Sequence, residues 1–303
     1  MALTVTIAIV VTGDLEGARR TIESIQPIPV EDWEVIEILL VRNGPMRAVD
    51  GPTIRDLISL IDIRFVYESK PGFSSSRNKA LAEAHGDVLV FIDEDETAEP
   101  GWPSPLVDVL VTSGAGMVGG ASRVVFDRKP PDWIFAGDSF NAIVNPHLTE
   151  MKELYSSNLA IDLAQAREAG LSFDSRFDAR PGGDLLFTRQ AYQRGMRLVW
   201  SRYGDVYRHV DTRTVSLRQT LREAMEAAQG RTEVDLMTGR PWWATIKALK
   251  TVGTRLARGA WRSTLGVAWG SSARRVEGQT LRHEARGSML TLRGYWGARR
   301  WNL

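Results

Sequence analysis

The alternation of short apolar runs with helix-period segments over the first hundred residues constrains this chain more than any other feature. Val5–Val11, Val35–Val41, Ile63–Tyr67 and Asp87–Ile92 each read as a strand, and the segments to about Ile25 and over Ser74–Ala84 read as helices. Gly13 or Asp14 would cap the first helix and one of the serines at 74 to 76 the second, while Asn43-Gly44-Pro45 stops the second strand. Strand and helix in turn build βαβ units, which predicts an α/β fold with a mostly parallel central sheet flanked by helices. Beyond Pro100 the pattern loosens. Gly119–Phe126, Leu154–Ile161 and Leu198–Trp200 read as extended, and Leu163–Ala169, Asp184–Arg194 and Ser216–Ala228 as helical. Two prolines make Arg128–Trp133 a loop. From Pro241 on, amphipathic helices broken by glycines predict a C-terminal helical extension, so the expected division is 1–240 and 241–303.

At 303 residues the chain can bury a substantial core, and with no cysteine it forms no disulfide, thiolate nucleophile or zinc–thiolate site. A cytoplasmic, reducing compartment fits. The amino-terminal run lacks a basic leader and reads as a strand, not a signal peptide. No stretch approaches the ~20 apolar residues that a membrane-spanning helix needs, so the chain is expected not to cross a bilayer.

In open α/β sheets, ligands bind beyond the carboxyl ends of the strands. The run from Val88 to Glu96 sets Asp93-Glu94-Asp95-Glu96 at such an end. Residues two apart in extended chain share a side, so Asp93 and Asp95 can converge on one point. A hard cation, Mn2+ or Mg2+, suits one or two carboxylates plus phosphate oxygens; a solvated acidic turn is the plain alternative. Upstream, Gly72-Phe-Ser-Ser-Ser76 feeds a helix, and the free amides and positive dipole end of such a turn suit a phosphate. Arg77 in the first turn opposes the helix dipole, which suggests that it serves something outside the helix.

These segments together resemble glycosyltransferase family 2, a large family of GT-A fold that includes many exopolysaccharide and cell-envelope sugar transferases. The resemblance runs through Glu68, Gly72, Ser76-Arg77-Asn78-Lys79-Ala80-Leu81, Gly86-Asp87 to Glu96, and Pro100-Gly-Trp102. It continues through Phe126–Trp133, Ser156-Ser-Asn158-Leu, Phe173–Phe177, Pro181-Gly-Gly-Asp184, Val206-Tyr-Arg-His209 and Leu217–Gly230, covering roughly residues 4 to 230. It implies a GT-A catalytic domain over 1–240, with a donor half of about 1–100 and an acceptor half of about 101–240. It implies a metal-dependent, inverting transfer of a sugar from a nucleotide-diphosphate donor to an acceptor hydroxyl, on a sugar or lipid-linked acceptor.

The roles carry over residue by residue. Asp95 resembles the main metal ligand, Asp93 the acid that touches the donor ribose or helps hold the metal, and His209 the histidine that completes the metal site. Asp184 resembles the catalytic base; its plain alternative is a helix N-cap after Gly182-Gly183. Thr12, Arg42, Asn43, Arg77, Asn78, Asp93 and Glu94 are implied on the donor side, and Trp102, Asn158 and Gly183 on the acceptor side. Two positions depart from the family. Gly183 stands where a glutamate often contacts the acceptor, and Arg42 stands where an aspartate usually accepts from uracil. A guanidinium accepts no hydrogen bond, so the nucleotide base stays open.

Residues 241–303 hold twelve Lys/Arg against two Asp/Glu, a balance of +10 in a chain of net +1, which leaves −9 to the first 240 residues. They also hold six of the ten tryptophans, Trp242, Trp243, Trp261, Trp269, Trp296 and Trp301, interleaved with arginines up to Arg300. Amphipathic helices of this kind lie in the membrane interface, which predicts peripheral contact with the inner face of the plasma membrane. Packing on the acidic body is the competing reading. Nucleic-acid binding is a third, and no nucleic acid is expected. A nucleotidyltransferase is disfavoured because Thr12-Gly13-Asp14-Leu15 lacks a Gly-rich phosphate loop; a degenerate, non-catalytic relative is the remaining alternative. The sequence leaves the oligomeric state open.

Overall fold

The computed structural model describes residues 2–13, 15–25, 33–44, 63–136 and 140–299. Asp14, Pro45, Arg300 and Trp301, which figure in the expectations above, lie outside them.

The core forms around β1 (Leu3–Val11), whose residues from Val5 to Val11 are all buried. It pairs in parallel with β2 (Trp33–Asn43) on one side and β4 (Val88–Asp93) on the other, and β3 (Ile63–Glu68) extends the parallel run beyond β2. Both faces of β1, β4 and most of β2 are covered, which is why they read as largely apolar runs and not as alternations, while β3 is a half-exposed edge strand. One side is covered by α1 (Leu15–Ser24), whose Leu15, Ala18 and Ile22 join the core, and by α3 (Ser104–Ser113). On the other side Ala80 of α2 (Phe73–Glu83) is in the core.

Beyond β4 the sheet becomes mixed. The strand β9 (Asn158–Asp162) runs antiparallel to both β4 and β6 (Met117–Gly119); β10 (Leu198–Trp200) is parallel to β6, and β8 (Glu150–Met151) antiparallel to β10. The order is β3-β2-β1-β4-β9-β6-β10-β8. The expected strand Gly119–Phe126 is broken in two. Gly120 lies against the Asn158 amide so closely that a Cβ would stand 2.5 Å from Nδ2. The chain then departs into β7 (Ser122–Phe126), part of a small sheet of order β5-β11-β7 with β5 (Glu96–Ala98) and β11 (Val206–Val210). Between β9 and β11 lie α4 (Leu163–Glu168) and α5 (Gly183–Gln193).

Two helix expectations are corrected. The cap of α2 is Gly72, at φ 137°, and Ser74, Ser75 and Ser76 lie inside the helix. Gly270, at φ 63°, does separate two C-terminal helices, but the glycines inside them do not break them: α6 (Leu217–Thr238), α7 (Pro241–Ala268) and α8 (Ser272–Arg299) run long, the last two at 28 residues each. Ser216 caps α6 by accepting from the Gln219 amide, as its sequence position predicts. The glycines mark helix crossings instead. A Cβ on Gly259 of α7 would stand 2.9 Å from the Gly278 carbonyl of α8, and one on Gly287 of α8 would stand 2.2 Å from the Met225 carbonyl of α6.

Contacts divide the chain into two compact units. One comprises Met1–Val125, Ala142–Ala179 and Gly183–His209, and the other Phe126–Asn141, Arg180–Gly182 and Val210–Leu303. The second unit thus takes in α6 and begins well before 241. Within it α8 packs against α6, α7 and the 3-10 turn Asp132–Ala136.

Candidate active site

The first unit carries a cleft of about 460 Å3 at the carboxyl ends of β1 and β4, lined in part by Thr12, Arg20, Phe73, Asp93, Asp95 and Arg208. Its floor is the turn between β4 and β5, and the four acids of that turn have different environments. Glu94 Oε1 accepts from the Thr12 amide at 2.9 Å, the Thr12 hydroxyl at 2.8 Å and the Gly13 amide at 3.0 Å. The loop after β1 therefore folds around the Glu94 carboxylate and joins two strand ends.

Glu96 is turned inward and almost fully buried. Its Oε2 accepts the Asp93 amide at 3.2 Å, and its Oε1 takes a short hydrogen bond from the Ser122 hydroxyl. Burial, and then Asp93 beside it, push its pKa well above the ordinary glutamate value. Behind the turn, the Thr21 hydroxyl of α1 donates to the Glu96 carbonyl at 2.6 Å. Gly17 approaches the Glu94 carbonyl so closely that a Cβ would stand 2.7 Å from it.

Asp93 and Asp95 face the cleft. The side chain of Asp95 stays open to solvent at its mouth, yet the protein mass around it, and then Asp93, raise its pKa, with Arg208 opposing. The Arg77 guanidinium comes to 3.4 Å from Asp93 Oδ1. It lies between the rings of Phe73 and Phe173, at 5.6 and 5.9 Å from their centroids, a geometry in which the ring quadrupoles favour the cation. Phe173 in turn stacks on Phe187 of α5 at 4.0 Å. The chain of contacts from Asp93 through Arg77 and Phe173 thus ends on the helix that carries Asp184.

His209 hydrogen-bonds to the Thr97 hydroxyl through Nε2 at 2.8 Å, and its amide donates to the Asp95 carbonyl at 3.1 Å. Burial and then Arg20 lower its pKa. His209 is thus beside Asp95 along the chain pairing, but its neighbour Arg208 is the residue that lines the cleft. Among the described residues no group of three or more His, Asp or Glu side chains is preassembled around a metal position. The donor set in the cleft is two carboxylates, which fits a cation that takes its remaining ligands from phosphate and water.

Several residues expected at the donor or acceptor are instead fastened to the protein's own backbone. The Asn43 amide donates to the Lys70 carbonyl and accepts from the Gly72 amide; the Asn78 amide likewise donates to and accepts from Phe173. Arg42 is buried, and its Nη1 donates to the carbonyls of Val11 and Asn43. Trp102 and Asn158 are each 1% exposed; the Trp102 indole N–H donates to Asn158, whose Nδ2 donates to the carbonyls of Ala121 and Gly204. Both side chains are thus buried with these groups paired inside the unit. Asp184 lies within the first turn of α5, accepting from the Leu185 amide at 2.8 Å, and not at its N-cap. Gly183, also buried, marks a close approach of helices: a Cβ there would be 3.0 Å from Ser74 Oγ and 3.1 Å from Phe177 Cβ. The family's glutamate at this place would meet both.

The amides at the start of α2, read above as a phosphate seat, are partly occupied. Asp178 Oδ1 accepts from the Ser75 amide at 2.8 Å, its Oδ2 from the Ser75 hydroxyl at 2.9 Å, and its carbonyl from the Phe73 amide at 3.2 Å. A carboxylate at a helix N-terminus satisfies both the free amides and the dipole. Nothing in the spacing from residue 75 to 178 signals that pairing. Two cleft residues are absent from the expected set: Arg20 lies in a helix without a motif, and Arg208 stands inside the Val206–His209 run, where the resemblance singles out the histidine.

Comparison with known proteins bears on this arrangement. Residues 6–156 match the model of glycosyl transferase family 2. The chain is 26% identical over 166 residues to the glucosyl-dolichyl phosphate glucuronosyltransferase of Haloferax volcanii, covering half of each. It is 26% identical over 216 residues to the succinoglycan biosynthesis protein ExoM of Rhizobium meliloti, covering 69% of this chain and 68% of that one. The chain thus spans only half the length of the first of these relatives. Among solved structures, GalNAc-T7 with UDP, GalNAc and Mn2+ superposes with a TM-score of 0.58 at 15% identity, over 76% of this chain and 47% of that one. S. aureus TarS residues 1–349 superposes with a TM-score of 0.55 at 13% identity, over 96% and 92%. The fold is GT-A, a central sheet flanked by helices with a C-terminal helical region, and the chain belongs to glycosyl transferase family 2.

Proposed function

We propose that this glycosyltransferase moves a sugar from a nucleotide-diphosphate donor to an acceptor hydroxyl, with a divalent cation and with inversion at the anomeric carbon. The observation that carries the reading is the partition of the acidic turn. Glu94 and Glu96 are engaged by the protein itself, while Asp93 and Asp95 remain on the cleft. Bound by Asp95 and Asp93, Mn2+ or Mg2+ would supply the charge neutralisation that a departing diphosphate needs. Polysaccharide or glycolipid synthesis fits, given that one relative is a succinoglycan biosynthesis protein.

The chain's own residues do the rest. Arg77, held between two phenyl rings, and Arg20 and Arg208 at the cleft wall give electrostatic support where negative charge develops on the donor. Asp184 takes the proton from the acceptor hydroxyl as the oxygen bonds to the anomeric carbon and the sugar–phosphate bond breaks. One base and one displacement give inversion; a retaining double displacement needs a nucleophilic carboxylate as well. Arg42 is buried and bonded to two backbone carbonyls, and a guanidinium accepts no hydrogen bond, so the uracil contact of the family is not expected. In GalNAc-T7 and TarS the nucleotide crystallised is UDP, which makes it the first to test.

The place of work we propose is peripheral, on the inner face of a membrane, where residues 241–303 would bring the enzyme to a lipid-linked acceptor. No helix among the described residues is long and apolar enough to cross a bilayer. The deciding experiment is a thermal-shift panel of UDP, GDP, CDP and dTDP with and without Mn2+. Metal-dependent stabilisation by at least one supports the reading, and none at all overturns it.

A further inference from the structure

The second unit presents a surface that glycosyl transfer does not use. Helix α7 has two faces. Ala244, Ala248, Val252, Gly259 and Gly266 are buried and repeat at helical spacing, and the glycines let α8 approach closely. On the side away from this seam, Trp242, Ile246, Leu249 and Leu256 follow one another at steps of three, four and seven, each with about half its surface exposed. The same side continues to Val267, at 70% exposed, with Trp243 and Trp261 along its flank. Over 28 residues such a stripe is about 42 Å long, far more than the scattered single apolar residues of an ordinary surface.

Its flanks carry only one sign of charge. Lys250 is exposed beside the stripe, Lys247 (paired with Asp235 at 3.0 Å) and Arg258 lie farther round the helix, and no acid occurs from Pro241 to Val276. Just past the end of the helix, the Arg274 guanidinium lies 4.2 Å from the Trp269 ring centroid. Indoles and long basic side chains are the groups that sit at the level of lipid headgroups, with their apolar parts directed inward.

We infer that the outer face of α7 lies in the headgroup layer of an anionic bilayer, with Trp242, Ile246, Leu249 and Leu256 directed toward the acyl chains and Lys250 at their flank toward lipid phosphates. This deepens the peripheral placement proposed above by assigning its face and its lipid charge, and it is independent of the transfer chemistry. The absence of acids along the stripe argues for an anionic bilayer over a second copy, because two such faces would set like charges against each other.

The test uses the full chain and phosphatidylcholine vesicles with or without phosphatidylglycerol, mixed at roughly three to one. The chain should sediment with the anionic vesicles, and brominated acyl chains should quench its tryptophan emission. Neutralising Lys250→Gln should weaken anionic binding about fivefold, and Arg258→Gln, on the far side of the helix, should not. Ile246→Gln with Leu249→Gln and Leu256→Gln should weaken it about a hundredfold. These residues are exposed, so thermal midpoints and the nucleotide-induced shift should stay unchanged, which separates this result from failure of the transferase reading. Failure of the full chain to bind anionic vesicles, equal binding by the stripe variant, or unquenched emission overturns the inference. A dimer in sedimentation velocity that the stripe variant converts to monomer, without vesicle binding, assigns the face to a second copy and overturns it too.

Discussion

Glu96 Oε2 accepts the backbone amide of Asp93 at 3.2 Å, so a buried acid holds the first of the two acids that face the cleft. The cation ligands proposed here are therefore the exposed half of an alternating set whose other half braces the turn. Asp95→Asn should leave the thermal midpoint within about a degree, since surface substitutions outside such braces cost at most ~0.5 kcal/mol. It should abolish the Mn2+-dependent shift with nucleotide. A retained shift removes Asp95 from the metal site.

Asp184→Asn should lower transfer by about 10^2- to 10^4-fold, the usual contribution of a positioned base, while nucleotide binding persists. The decisive measurement is product formation at saturating donor beside a donor-binding isotherm. Transfer within threefold or so of the parent excludes Asp184 as the base.

Asp178→Ala should destabilise the protein by about 1–2 kcal/mol, the range for a lost helix N-terminal partner. Asp178→Asn should recover part of that, because an amide oxygen still accepts from Ser75. Denaturant midpoints at equal slope report the difference.

Stability should fall with acid in part through Glu37. Burial raises its pKa, but hydrogen bonds from Arg64, the His85 amide and Thr6 outweigh burial and leave the value lowered. A lowered folded pKa gives stability that is present above the ordinary glutamate pKa of about 4.3 and is lost as pH falls through the folded value. Glu37→Gln should therefore flatten the stability profile below about pH 5. An unchanged acid limb assigns that loss to other carboxylates.

Asn158→Ala should cost several kcal/mol or prevent folding. It leaves the Trp102 indole N–H and the Gly204 carbonyl unpaired in the interior, at about 1–3 kcal/mol for each orphaned group, while the Ala121 carbonyl keeps the Val206 amide as its donor. Asn158→Asp should be nearly as damaging, because a carboxylate cannot donate to those two carbonyls. Urea midpoints of the two variants check this.

The parallel half of the sheet was readable because β1, most of β2 and β4 are apolar on both faces, and the acidic turn because it ends the last of them. The long C-terminal helices were misread at their glycines, since a propensity argument counts a glycine as a breaker and cannot see the opposing helix that demands it. Arg42, Asn43, Asn78, Trp102 and Asn158 carried a family pattern that the structure binds into its scaffold. Sequence spacing shows that a polar side chain is present; it does not show whether a backbone carbonyl waits beside it. The pairing of Ser75 with Asp178 had no local signal at all.

That pairing spans 103 residues of chain, and it bears on the order of folding. The helix that carries Arg77 lacks its amide partner until the segment around Asp178 has left the ribosome, so residues 1–100 are not a self-sufficient folding unit. A contact of such separation has to pay loop-closure entropy before it stabilises anything. The nascent segment before residue 100 therefore waits, incompletely capped, for sequence that also brings the helix of Asp184, and the two segments mature together.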